Sequence, residues 1–434
     1  MSTVTTPAPA APGAAVPAAT GAAGRGRWKQ PVVLGVLAAV ALVAFGLLPA
    51  GGLRATFVLA LGSEAVQLSP LTVPSRAAAV VLALLCAAVA VWSAVLVRAG
   101  RRTPAWATAL FGVAWVLAFL CWAVAGRSIP FTGLLRGTLL LAVPLVFGAM
   151  AGILCERAGV INIAIEGQLL AGAFASAVLA SLTDSAYVGL LAAPVAGLVV
   201  GALLGLFALR YQVDQTIVGV VLNVLVIGFT SFLYGQLLVP QADAFNTPPL
   251  LRPLAVPLLS DIPVLGPVLF DQSLIVYLMY ALVVAVNVAL FRTRWGLRVR
   301  AVGEHPKAAD TLGVRVMAVR WRSVLLGGAV AGLGGAFFTL GRVGAFGEEM
   351  TAGQGFIAIA AMIFGRWKPV GALGAALLFG FASSLQQTLG TLSGFPIPGQ
   401  LLLMLPYLAT ILAVAGLVGR VRAPAADGVP YGKA

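Results

Sequence analysis

The chain has 434 residues, of which 61% are hydrophobic and 9% charged, and its formal net charge is +14. Soluble domains carry about 25% charged residues, so this composition excludes a soluble enzyme or binding module and describes a polytopic membrane protein. The positive charge does not indicate nucleic-acid binding, because Lys and Arg sit mostly in short loops between apolar runs, the arrangement that orients helices in a membrane.

Residues 1–24 are almost wholly Ala, Pro, Thr, Gly, Val and Ser and carry no charge, so a disordered tail is expected, ending near residue 30. Arg25, Arg27 and Lys29 come too late for a secretory leader and precede an apolar run to Ala50, which reads as a retained first helix. The apolar runs are continuous rather than alternating. Helices are therefore expected, since backbone groups in lipid must be satisfied within each segment.

About twelve spans (ten to twelve) fall near 31–50, 77–97, 104–125, 132–153, 161–182, 186–209, 215–238, 272–291, 322–341, 353–365, 370–389 and 400–418. The fold class is all-α. Two spans are weak: 161–182 is interrupted by Asn162 and Glu166, and 353–365 is too short to cross alone.

If all twelve cross, both termini face the cytoplasm. Arg98, Arg101, Arg102, Arg157, Arg210, Arg366, Lys368, Arg420 and Arg422 then fall inside, with the eight Lys and Arg between Phe291 and Ser323. The long loop 239–271 falls outside, with Arg252 and three aspartates; Arg54, Arg76, Arg127, Arg136 and Arg342 fit this orientation less well. Cys86, Cys121 and Cys155 lie in or beside apolar runs without metal-ligand spacing and read as small buried hydrophobes. Gly197, Gly201 and Gly205 recur every four residues, as do Gly328 and Gly332, spacing that lets helices pack closely.

Polar side chains at membrane depth are the candidate functional groups, because they are expensive there unless they face a partner or a wet path. Asn162 and Glu166 stand four apart and share one face if their segment is helical. Glu166 either faces a solute path, lies near the surface beside Arg157, or is protonated and bonded to backbone. Asn223 and Gln354 are further pathway candidates, with hydrogen-bonding groups suited to a polar solute; Asn287, Gln386 and Gln387 read as glue between helices. Glu348 and Glu349 are expected outside, either docking a binding protein or ending a solvated loop.

The segment WGLRVRAVGEHPKAADTLGVRVMAV, residues 295–319, is too polar to cross. Pro306 suits a first helical turn, Lys307–Leu312 a short helix, and Gly313 its terminator; a solvated basic loop drawn to anionic lipid is the alternative. The pattern G-L-R-x-R-A-V-G-E-x-P-x-A-A-x-x-x-G-V resembles the coupling segment of ABC importer permeases. ERAGVINIAIEGQLLAGAF (156–174) is similar to the signature of nucleoside and simple-sugar permeases in the branched-chain amino acid/ribose superfamily. GQGFIAIAAMIFGRWKPVGALGAALLFG (353–380) resembles a segment in that family's second half.

The resemblance implies a core of two inverted helical halves over 129–420, following an extension of three helices (31–128) and ending in a cytoplasmic tail (421–434). It implies a coupling loop at 292–322 in which Gly303, Glu304, Pro306, Ala308, Ala309 and Gly313 dock a separate ATPase. The small side chains of Ala308 and Ala309 would permit close contact. Implied partners are that ATPase, a second permease of the same family (a paralogue), and an extracytoplasmic substrate-binding lipoprotein, in the lipid of a prokaryotic cell membrane. No G-x-x-x-x-G-K-[ST] loop occurs in the chain, so no cofactor is expected here, with ATP and Mg on the partner. The expected function is the transmembrane subunit of an ATP-driven importer of nucleosides or simple sugars. A self-contained secondary transporter or channel is the competing class, and it would need a relay of intramembrane charges of which Glu166 is the only deep acidic candidate.

Overall fold

The computed structural model describes residues 20–48, 51–60, 67–392, 399–404 and 422–432. Two compact units are present, residues 1–54 with 73–125, and 55–72 with 126–434. In the first unit, α1 (Thr20–Val40) continues as a wide turn over Ala41–Leu47 and is followed by α2 (Ser75–Arg98) and α3 (Ala105–Ala123). The first helix thus begins ten residues before the expected end of the tail. Phe45 packs against Trp115 and Trp122, and the Trp115 indole donates to the carbonyl of Leu37, 3.0 Å away.

Most of β1 (Arg54–Val58), half of β2 (Leu71–Pro74) and all of β3 (Ser128–Pro130), which runs parallel to β1, belong to the second unit. Its membrane helices are α4 (Phe131–Glu156), α5 (Ile165–Thr183), α6 (Ala186–Arg210) and α7 (Gln215–Leu238). A short α8 (Ala242–Phe245) and the antiparallel pair β4 (Pro253–Ala255) and β5 (Asp271–Ser273) fill the long loop. Then come α9 (Leu274–Arg292), α10 (Arg294–Glu304), α11 (Pro306–Thr311), α12 (Val316–Val343), α13 (Gln354–Phe364), α14 (Pro369–Gly390) and the four-residue α15 (Gly399–Leu402).

Ten helices among the described residues are long and apolar enough to cross a membrane, in keeping with an all-α polytopic protein. The 353–365 run forms the eleven-residue α13, too short to span, and most of the 400–418 run lies outside the described residues. The fifth span starts at Ile165, leaving 157–164 non-helical. The Gly-rich faces do what their spacing predicts: a Cβ on Gly197 would fall on the carbonyl of Gly328, and one on Gly172 on that of Gly332. Backbone-to-backbone packing of α12 on α5 and α6 buries α12 in the middle of the unit, which fixes the frame on which the polar groups sit.

Candidate functional site

Two interruptions in the helical frame meet. α4 ends at Glu156, and Gly159 stops it by adopting φ +81°, a conformation that side-chain-bearing residues avoid. The chain then runs without helix to Ile165, and backbone groups on both sides of the break find side chains. Ile161 N–H donates to Gln215 Oε1 at 2.8 Å, Asn223 Nδ2 donates to the Ile163 carbonyl at 2.9 Å, and Gly167 N–H donates to Asn223 Oδ1 at 2.8 Å. Asn223 therefore clamps both sides of the start of α5, satisfying a first-turn N–H that the helix itself leaves orphaned.

Asn162 does not share a helix face with Glu166. It precedes α5, is wholly buried, and its Nδ2 donates to Gln168 Oε1 at 3.0 Å. The i, i+4 reading presumed an unbroken helix, and Gly159 breaks it. Gln168 was not singled out from the sequence, where it sits in an apolar run.

Glu166 lies on the first turn of α5 and is buried. Its Oε1 accepts from Thr351 Oγ1 at 2.6 Å and from Gly353 N–H at 2.8 Å; its Oε2 accepts from Gly355 N–H at 2.6 Å. Those are the orphan donors at the N-terminus of α13, so the carboxylate caps that helix from another one and meets the positive end of its dipole. Gly355 permits the approach, since a Cβ there would lie 2.5 Å from the backbone nitrogen of Glu166. α13 is eleven residues, roughly 16 Å by helix rise, and ends at Phe364 near the loop end of α4. A helix of that length reaches about half-way through a hydrocarbon layer roughly 30 Å thick. The two sequence segments, 156–174 and 353–380, are halves of one construction.

Gln354 is the first residue of α13, and its buried Oε1 has no hydrogen-bond partner among the described residues. It differs in this from Asn223, whose polar groups are both engaged by backbone. Asn287 and Gln386 are half-buried, and Glu348, Glu349 and Gln387 are exposed.

The polar loop 295–319 is helical in two pieces. α10 was missed from the sequence as a helix, although Gly296, Val299, Val302 and Gly303 mark one buried face. Pro306 opens α11 and Gly313, at φ +80°, follows it, as expected. Gly303 packs where a Cβ would fall on the carbonyl of Arg157. Ala308 is exposed, but Ala309 is turned inward against Val302 and Val316. The open face of α11 is Lys307, Ala308, Thr311 and Leu312, the last 84% exposed.

Residues 422–432 do not hang free as a tail. They pack on this same end of the unit, where Ala426 N–H donates to the Gly303 carbonyl at 2.9 Å and Ala425 N–H to Glu304 Oε2 at 3.3 Å. Asp427 sits beside Glu156 and Arg320; burial pushes its carboxyl up to about 6, against the pull of hydrogen bonds from Glu156 and Gly428 and the charge of Arg320. Arg157 donates from Nε and Nη2 to the Trp367 carbonyl at 3.0 and 2.9 Å, and the Trp367 indole donates to Glu156. The end of α4, the end of α13, the coupling-like helices and the C-terminal segment are thereby tied in one knot. Among the described residues no cluster of three or more His, Cys, Asp or Glu could hold a metal ion.

Residues 134–415 match the family model described as branched-chain amino acid transport system / permease component. The guanosine ABC transporter permease protein NupQ of Bacillus subtilis is 42% identical over 308 residues, covering 68% of this chain and 94% of that one. The nucleoside ABC transporter permease protein NupC of Lactococcus lactis is 41% identical over 303 residues, again 68% and 94%. A putative glucose ABC transporter permease protein, TsgC13 of Haloferax volcanii, is 32% identical over 305 residues, 66% of this chain and 92% of that one. No solved structure matches the chain.

Proposed function

The chain belongs to the family of permease components of the branched-chain amino acid transport systems, and from that premise we propose that it carries nucleosides inward as one permease subunit of an ABC importer. It is a multi-pass membrane protein and a transport component. The two relatives above 40% identity are named for guanosine and nucleoside transport, which favours nucleosides over sugars. A separate ATPase binds ATP and Mg and docks on α10 and α11, placing that end of the unit in the cytoplasm along with both termini. A second permease, a paralogue, lines the path from the other side, and a binding lipoprotein delivers the solute.

The observation that carries the reading is the capped half-helix. A helix that starts inside the membrane offers a polar end to a solute. Here Glu166 already occupies the positive end of α13, which suits an uncharged solute, while Gln354 beside it keeps a free acceptor for a hydroxyl or an amide N–H. The test is uptake of radiolabelled guanosine and glucose by proteoliposomes holding the assembled complex. ATP-dependent guanosine accumulation that excess glucose leaves unchanged supports the proposal. Glucose accumulation alone moves the substrate to sugars, and uptake by this chain without an ATPase overturns the subunit reading.

A further inference from the structure

We propose that residues 424–431 form a strap that holds the coupling helices α10 and α11 against the broken segment 157–164, with Arg320 as its anchor. The inference rests on the reading of α10 and α11 as the ATPase-docking element.

Arg320 is fully buried on the first turns of α12. Its Nη1 donates to the Val429 carbonyl at 2.9 Å and its Nη2 approaches the Ala426 carbonyl at 3.5 Å. Both acceptors belong to the strap, and so does the neighbouring carboxylate, Asp427. A buried guanidinium without partners is strongly unfavourable, so α12 selects the state in which the strap is seated. The carboxyls of Glu156, at the end of α4, and Asp427, in the strap, lie close together beside this guanidinium.

The strap joins the two mechanical parts of the unit. Toward the coupling helices it bonds to Gly303 and Glu304, and Tyr431 packs beside Val302, Ala309 and Val316, its hydroxyl bonded to Asp310. Toward the transport path it covers the break: Ala426 lies over Gly159, and Gly428 rests against the side chain of Ile161. Ile161 hangs from Gln215 one step before the Asn223 clamp. A movement of α10 and α11 on ATP binding reaches the start of α5 through this connection. Arg320, Asp427 and Gly428 are positioning residues for coupling; none of them lies beside the Glu166 cap.

Gly428→Val is the sharpest probe. Gly428 has φ +73°, and a Cβ there would meet the Ile161 side chain at 2.7 Å, so the substitution lifts the strap without altering any membrane helix. Arg320→Lys, which keeps the charge and loses the fork, tests the anchor from the other side. In proteoliposomes of the full complex, nucleoside transported per ATP hydrolysed should fall about tenfold in Gly428→Val, within the usual span for coupled sites, while ATPase retention on the permease stays at the wild-type level. Arg320→Lys should shift the same ratio in the same direction. Both variants assembling normally with an unchanged ratio overturns the strap. A wild-type complex that retains no ATPase removes the docking reading, and with it the strap's role.

Discussion

The carboxylate of Glu166, on the first turn of α5, accepts the backbone N–H groups of Gly353 and Gly355 and so closes the N-terminus of α13. A helix end inside a hydrocarbon layer has no water to satisfy its donors, and the Glu166 carboxylate, with the Thr351 carbonyl that accepts from Gln354 N–H, supplies what the lipid cannot. Glu166→Ala should therefore destabilise the assembled permease by about 1–3 kcal/mol, the cost of leaving buried donors unmade, and abolish uptake with it. Glu166→Gln keeps the shape and one acceptor and should retain assembly. Thermal unfolding of the purified complex checks this; a wild-type transition for Glu166→Ala would show that the cap contributes nothing.

Asn223 and Gln354 should separate cleanly. Every polar group of Asn223 is spent on the backbone of residues 163 and 167, so Asn223→Ala should lower the melting temperature, with a cost of roughly 1–3 kcal/mol. The Oε1 of Gln354 has no partner among the described residues to lose. Gln354→Ala should leave the melting temperature unchanged and raise the KM for nucleoside several-fold, read from uptake at varied substrate concentration. An unchanged KM would take Gln354 out of the solute path.

Much of this was legible in the residues, and the exceptions share a cause. Span positions follow from local hydropathy, and Pro306 and Gly313 bound α11 through backbone preferences that need no distant partner. The Glu166 cap and the Gly355 it requires are 189 residues apart in sequence, and their pairing leaves no local trace beyond the oddity of an acid in an apolar run. Arg320 looked like one more inside-facing charge in a basic loop, because its acceptors are carbonyls of residues 426 and 429, which any sequence would provide. The C-terminal segment read as a tail for the same reason: Ala, Pro, Asp and Gly score as loop formers, and the holes they fill belong to other helices.

The strap should seat more firmly as the pH falls. Asp427 is raised from 3.8 to about 6 when docked, so the docked state binds more protons than the free one and loses stability as pH rises through that window. The groups facing it are Glu156 at the end of α4, Arg320 on α12, the Cys155 thiol, and Tyr431 within the strap. Arg320 stays charged throughout. A thiol probe reacting with Ala426→Cys, a position buried in the seated strap, in a background without the native cysteines, should slow from about pH 7 to about pH 5 by more than the loss of thiolate alone, the latter read on the same variant unfolded in denaturant. Asp427→Asn should remove that excess slowing, and an equal excess in the variant would assign it to another group.

The open face of α11 makes the last distinction. Ala308 and Ala309 are adjacent and chemically identical, yet one is exposed and the other sits against Val302 and Val316. A bulky side chain at 308 projects from the surface, where it blocks a docking partner and leaves the helix pair intact. At 309 it is forced into a packed cluster, at a cost of about 1–3 kcal/mol. Ala308→Trp, and likewise Leu312→Asp on the same face, should abolish co-purification of the ATPase with no change in melting temperature. Ala309→Trp should lower the melting temperature and loosen α11 itself, so that its loss of ATPase is a loss of structure. An ATPase that stays bound to Ala308→Trp and Leu312→Asp would move the docking surface elsewhere on the unit.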